Sequence, residues 1–166
     1  MPELLSALAA SVARRLMARK ETVAVSESST GGLISAALLS IPGASAYFVG
    51  GGVIYTQTAR RGLLHLPDEA FQGIRSSTEA AARLQAKTVR ERLGTIWALA
   101  ETGAAGPTGN RYGDAAGHSC LAVAGPVELA RTLETGRSDR EANMWAFTRA
   151  ALDLLDTCIQ QAGETS

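Results

Sequence analysis

Two short loops hold the residues best suited to chemistry. Ser28, Ser29, Thr30, Gly31 and Gly32 follow the apolar run Val23-Ala24-Val25 and precede a helical-looking run from Leu33 to Ile41. Hydroxyls and glycines between a strand and a helix leave backbone N–H groups open at the helix N-terminus, which favours an anion or a polarised oxygen. The same residues also suit an ordinary cap, with Ser29 or Thr30 closing the helix and the glycines easing the turn. The second loop, Glu101 to Asn110, contains Thr102, Gly103 and Gly106 and follows the apolar run Ile96 to Ala100. Two such loops after two strands belong at one edge of an open sheet, the carboxyl edge where α/β folds bind ligands. Neither has the spacing of a dinucleotide fingerprint or a phosphate-binding P-loop. A small polar ligand of another kind is therefore expected.

The elements that must position these loops follow from periodicity. Leu4, Leu5, Leu8, Val12, Leu16 and Met17 recur at helical spacing, which predicts an amphipathic helix over Glu3 to Arg19. A strand over Thr22 to Ser26 leads into the first loop, and Pro42-Gly43 ends the helix that follows it. Gly50 to Thr56 reads as a second strand with a glycine-rich entry, and Gln57 to Leu64 as a short helix. Another helix is expected after Leu66-Pro67-Asp68. Ser76 with Glu79 has the spacing of a capping box for a long helix through Leu93. After the strand over Ile96 to Ala100 comes a long polar loop, Gly103 to Gly117, with Arg111, Tyr112 and Asp114 near its middle. Loops of that length in a small domain are usually functional or mobile. His118 to Ala124 and Val127 to Leu133 form a hairpin around Gly125-Pro126, and a last helix covers Asp139 to Ala162. Alternating strands and helices predict an α/β single domain over residues 1–166, with a mostly parallel sheet closed by one hairpin.

Composition narrows the function classes. The 166 residues suffice for one domain with a real core. Lys+Arg and Asp+Glu both number 16, so the chain lacks the basic surplus of a nucleic-acid binder or a polybasic membrane anchor. No run approaches a membrane span. The amphipathic N-terminus, with Glu3 early, is unlike a cleavable signal. A soluble, cytoplasmic protein is expected. Cys120 and Cys158 sit in an apolar run and in the last helix, and His65 and His118 lie far apart, so no metal site and no cofactor are expected. Trp97 and Trp145 read as core residues.

Four ordered stretches, SESSTGG, Pro42 to Phe48, Gly52-Val53-Ile54-Tyr55-Thr56 and TGAAGPTG, resemble the CinA C-terminal domain family. Its members read close to AESCTGG, GSSAWF, Gly-x-Val-x-Tyr and TGIAGP in the same order. The resemblance covers nearly the whole chain. It implies a three-layer α/β/α sandwich with a mixed sheet, self-association as a homodimer, and hydrolysis of the carboxamide of nicotinamide mononucleotide to nicotinate mononucleotide and ammonia. It further implies a catalytic set of Ser45 as nucleophile, Tyr55, and a cation at Arg60, with Ser28, Ser29, Thr30, Gly31, Gly32, Thr102, Gly103 and Gly106 around the substrate.

Three departures stand out. The family's lysine is Arg60 here, and an arginine keeps its proton, so it serves as a fixed cation beside a Tyr55 phenolate or a substrate phosphate and not as a base. The chain's lysines, Lys20 and Lys87, lie on or beside helices away from the loops. Where family members carry an arginine after the Gly-Asp-Arg turn, this chain has Asn143 or Met144, with Ser138-Asp139-Arg140 partly retained and Arg111 as a possible substitute. Ser29 replaces a cysteine isosterically. Two functions follow: an amidohydrolase on a pyridine nucleotide or close analogue, or a catalytically silent nucleotide-binding member of the same family.

Overall fold

The computed structural model of the protein describes residues 3–165. Helix α1 (Leu5–Arg19) leads to strand β1 (Val23–Glu27), helix α2 (Leu33–Leu39), a 3-10 turn (Ala44–Ala46) and strand β2 (Phe48–Val53). Helix α3 (Gln57–Leu63), a second 3-10 turn (Asp68–Phe71) and helix α4 (Glu79–Leu93) follow. Strands β3 (Trp97–Ala104), β4 (His118–Ala124) and β5 (Leu129–Glu134) precede the long helix α5 (Arg140–Thr165). The sheet order is β2-β1-β3-β4-β5. β1 pairs in parallel with both β2 and β3, and β4 runs antiparallel to β3 and β5, so the sheet is mixed.

Alternation along the strands explains the layers. Val23, Val25, Trp97, Leu99, Leu121 and Val123 face one side and form the larger core with α1, α2 and α5. The intervening Ala24, Ala98, Ala100, Ala122 and Ala124 face the other side against Ala82, Ala86 and Val89 of α4. Bulky side chains on one face hold three helices off the sheet, while alanine on the other lets α4 lie close. The small residues of α4 are thus spent on the sheet; Ala81, Ala82 and Ala86 are fully buried within the chain.

Several local expectations are corrected. The cap of α4 is Thr78, whose Oγ1 accepts from Ala81 N at 3.1 Å, and not Ser76. Glu79 accepts instead from Thr132 Oγ1 at 2.7 Å, tying α4 to β5. After Pro67 the chain makes one 3-10 turn and no full helix. β2 runs from Phe48 to Val53, two residues earlier at its start than expected and ending before Tyr55, and its Gly51 lets β1 come close: a Cβ there would lie 2.4 Å from the Val25 carbonyl oxygen. Trp97 is core, but Trp145 is half-buried and lines a shallow groove with Leu33 and Met144. Among the described residues, no helix is long and apolar enough to cross a membrane.

Candidate active site

Parallel pairing of β1, β2 and β3 brings both Gly-rich loops to the edge where β1 and β3 end, as their positions after strands require. There they flank a polar cleft of ≈ 520 Å³. Ser28, Tyr55, Arg60, Thr102 and Gly103 line it, together with Ser76, Ser77, Gln85, Asn110, Arg111 and Tyr112.

The first loop does not offer its N–H groups to a ligand. Glu27, the fully buried last residue of β1, folds back over the start of α2. It accepts from Gly32 N (3.1 Å), Ile34 N (2.9 Å), Ser35 N (2.8 Å) and Thr30 Oγ1 (2.8 Å). Glu101 of β3, also fully buried, accepts from Ser28 N and Thr30 N at 3.0 Å each, from Thr30 Oγ1 and Ser119 Oγ at 3.1 Å each, and from Ser29 Oγ. The anion expected at this helix terminus is therefore the protein's own pair of carboxylates. Ser29 and Thr30 point inward as scaffold. Gly31 packs near Met144, and Gly32 supplies the left-handed residue before α2. Burial pushes the Glu101 carboxyl above the ordinary carboxylate range, against the pull of its hydrogen bonds.

Among the described residues, Arg60 is the one cation sunk into the cleft wall. It is 8% exposed, its guanidinium lies 3.8 Å from the centre of the Phe71 ring, and no described residue forms an ion pair or hydrogen bond with that guanidinium. Burial lowers its pKa, while Tyr112 and Asp68 pull the other way. Tyr55 is engaged elsewhere: its hydroxyl accepts from Arg140 at 3.2 Å, and Arg140 also donates to the Gly106 carbonyl at 2.5 Å. Gly106 is buried behind the cleft, where a Cβ would lie 2.6 Å from the Ser138 carbonyl oxygen. Asn143 is fully buried and donates to the carbonyls of Ala105 (2.7 Å) and Arg137 (2.8 Å), so it ties the second loop to α5.

Thr102 Oγ1 accepts from Ser77 N at 3.2 Å, and the Ser77 carbonyl accepts from His118 Nε2 at 2.8 Å. The other ring nitrogen, Nδ1, is held by Glu134. Burial pulls His118 down, but Glu134, the Ser77 carbonyl and Asp114 outweigh it and leave the imidazole above its ordinary value. With both nitrogens facing acceptors, His118 is a clamp and not a free base.

Ser45 does not line this cleft. It lies in the turn that enters β2, at the edge where β1 and β3 begin. The six residues of β2 alone put roughly 20 Å between that turn and Tyr55. The exposed Ser45 reaches the cleft of its own chain by no route in the fold. Arg111, expected as a substitute cation, lines the cleft, whereas Glu27, Glu101, Ser76, Tyr112 and Arg140 were given no role by the motifs. A carboxylate placed directly before each hydroxyl- and glycine-rich loop was the available signal for the first two. Among the described residues, no three His, Cys, Asp or Glu side chains cluster to hold a metal.

Residues 5–159 match the family described as the CinA C-terminal domain. A CinA-like protein of Gloeobacter violaceus is 36% identical over 151 residues, covering 89% of this chain and 35% of that protein. One of Synechocystis is 37% identical over 149 residues, covering 90% and 36%. The chain thus spans about a third of the length of these curated relatives. A crystal structure of a CinA superfamily protein from Klebsiella pneumoniae superposes with a TM-score of 0.88 at 26% identity, covering 96% of this chain and 99% of the other. That of a competence/damage inducible protein from Agrobacterium tumefaciens gives 0.85 at 29% identity, covering 95% and 97%. Together with the ordered loops and their shared sheet edge, these matches show that the chain belongs to the CinA C-terminal domain family.

Proposed function

We propose that the cleft binds a pyridine nucleotide and hydrolyses its carboxamide, taking nicotinamide mononucleotide, or a close analogue, to the nicotinate form and ammonia. The observation that carries this reading is the Arg60 guanidinium, buried without a carboxylate partner among the described residues in a hydroxyl-lined cleft. A desolvated cation of this kind is costly unless an anion completes it. Both a phosphate-bearing substrate and the oxyanion of a tetrahedral intermediate are such anions. Arg111, which also lines the cleft, adds positive charge that draws an anionic nucleotide, while Arg61 is held by Asp68 at 2.8 Å. The volume is that of an ordinary small-molecule site.

Hydrolysis needs a nucleophile, a proton acceptor and an oxyanion partner. Arg60 suits the third role, and Tyr55, anchored by Arg140, suits orientation of the substrate. A second reading, nucleotide binding without turnover, is favoured by the distance of Ser45 from the cleft. Ammonia release from nicotinamide mononucleotide by the purified protein decides between them. Turnover is expected in the wild type, with a loss of about a hundredfold or more in Arg60→Ala, the cost of one preorganised charge, and retention in Arg60→Lys. A wild type that binds the nucleotide but releases no ammonia establishes the second reading.

A further inference from the structure

Gln85 is buried at 3% exposure on α4, among the alanines that bring this helix close to the sheet, and it still lines the main cleft. Its Oε1 accepts from the fully buried Ser26 Oγ of β1 at 3.4 Å. No described residue accepts from its Nε2. Among the described residues no side-chain nitrogen is both sealed off and unbonded, so Nε2 opens into the cleft. Two N–H donors at this depth are costly until an acceptor meets them.

The floor at Gln85 is polar and uncharged. Strand alternation turns Ser26 of β1 and Thr102 of β3 toward α4, on the face of Ala24 and Ala100. Thr102 Oγ1 already accepts from Ser77 N, which leaves its O–H proton to donate. Among the described residues no carboxylate lines the cleft, and its guanidinium groups stand on α3 and at Arg111. The wall therefore suits an anion, and the floor suits a neutral group that both donates and accepts.

We propose that Gln85 reads the carboxamide of the substrate, with Ser26 as its positioning residue. This rests on the carboxamide-hydrolysis reading and adds the contact that tells substrate from product. An amide carries a carbonyl oxygen and an N–H on one edge. Gln85 presents the complement: Nε2–H for that oxygen and the second Oε1 lone pair for that N–H. The Ser26 hydroxyl on Oε1 fixes which way round this edge faces. Pairing in the amide plane leaves both faces of the carbonyl carbon open to a nucleophile. The Nε2–H bond also strengthens as negative charge gathers on the carbonyl oxygen. The carboxylate product has no N–H for Oε1 and sets an anionic oxygen against it. A site built on such a pair rejects the ligand that lacks the matching donor.

The test follows the Gln85 side-chain NH2 resonances of nitrogen-15-labelled wild type, assigned through their bonds to the Gln85 backbone. Nicotinamide mononucleotide should shift them, and nicotinate mononucleotide should shift them far less. Gln85→Met keeps the length of the side chain and should lose about tenfold or more in affinity for the amide nucleotide, the scale of one or two neutral hydrogen bonds, with little change for the acid. Ser26→Ala should lose part of the same preference. Equal shifts from both nucleotides, or an amide preference that survives Gln85→Met, overturns the assignment. The wild-type shift decides the question even where Gln85→Met does not fold. Benzamide, benzoate and ribose 5-phosphate separate this outcome from failure of the nucleotide reading. In a protein that binds neither nucleotide, a shift with benzamide and not with benzoate keeps Gln85 as an amide reader and changes the substrate. A shift with ribose 5-phosphate alone, or with none of the probes, removes the role.

Discussion

Five donors converge on the Glu101 carboxylate, from Ser28, Ser29, Thr30 (twice) and Ser119. A carboxylate has lone pairs for nearly all of them, whereas an amide has a single acceptor oxygen and two N–H donors of its own. Glu101→Gln therefore strands buried donors and turns an N–H toward others. Its cost should be on the order of 3 kcal/mol, read as a shift of the urea midpoint at unchanged slope. A near-neutral result would mean that the first loop does not depend on this carboxylate for its shape. The loop's hydroxyls were legible from their residue types, but their direction was not. Serine, threonine and glycine after a strand announce a loop that satisfies an anion, and only the fold reveals that the anion is already covalently present. Arg60 shows the opposite case. Its departure from lysine was visible at once, and its ring partner, Phe71, comes from a segment with no motif of its own.

At the scale of elements, His118 joins four pieces of chain: β4, which carries it; β5 through Glu134; the loop before α4 through the Ser77 carbonyl; and the cleft turn through Asp114, 3.7 Å from Nε2. The other titratable or charged groups facing this knot are Arg75, on Asp114, and Cys120, whose Sγ lies 3.7 Å from Nε2. The raised folded-state pKa gives the sign of the pH dependence. The folded protein holds this proton more tightly than the unfolded chain, so the clamp's stabilisation is full below the ordinary histidine value of 6.5 and is lost as pH rises through the folded-state value. Urea unfolding of wild type and His118→Gln should show a stability gap that is widest near pH 6 and narrows on the alkaline side. A gap independent of pH would mean that the imidazole packs without titrating. The order and type of the main elements were readable because two signals agree at each: helical or alternating spacing, and Gly or Pro at the ends. Alternation in β3 and β4 even separates a bulky face from an alanine face. The Thr78 cap and the single turn after Pro67 were not readable, since Ser76 and Thr78 are equally good caps by type and only the path of the chain into α4 selects one.

For the whole molecule, the unprotected part is β2. It is an edge strand with no charged residue or proline, and the usual devices that keep such an edge from pairing are missing. Val49 and Val53 are 50% and 43% exposed on one face of it. Two copies of β2 can pair antiparallel about a two-fold axis, which requires opposed residues to share a face. Centring the axis on Gly51 satisfies this and sets each Val49 against Val53 of the partner subunit. We therefore expect a homodimer joined through β2, with Val49→Lys shifting light scattering from a dimer to the 17.3 kDa chain; a wild type that scatters only as a single chain at micromolar concentration overturns the interface. The same register would carry the exposed turn at Ser45 toward Tyr55 and Gln57 of the other copy, at the rim of its cleft. Dimerisation thus tests the chemistry as well. With the Ser45 turn seated at the partner's cleft, monomeric Val49→Lys should lose the ammonia release that dimeric wild type shows; equal turnover per chain in the monomer would place the nucleophile within one chain. Ser45→Ala and Arg60→Ala chains, each inert alone, should then regain turnover when mixed, because one hybrid cleft keeps its own Arg60 and takes Ser45 from the other chain; no recovery on mixing would remove the shared site.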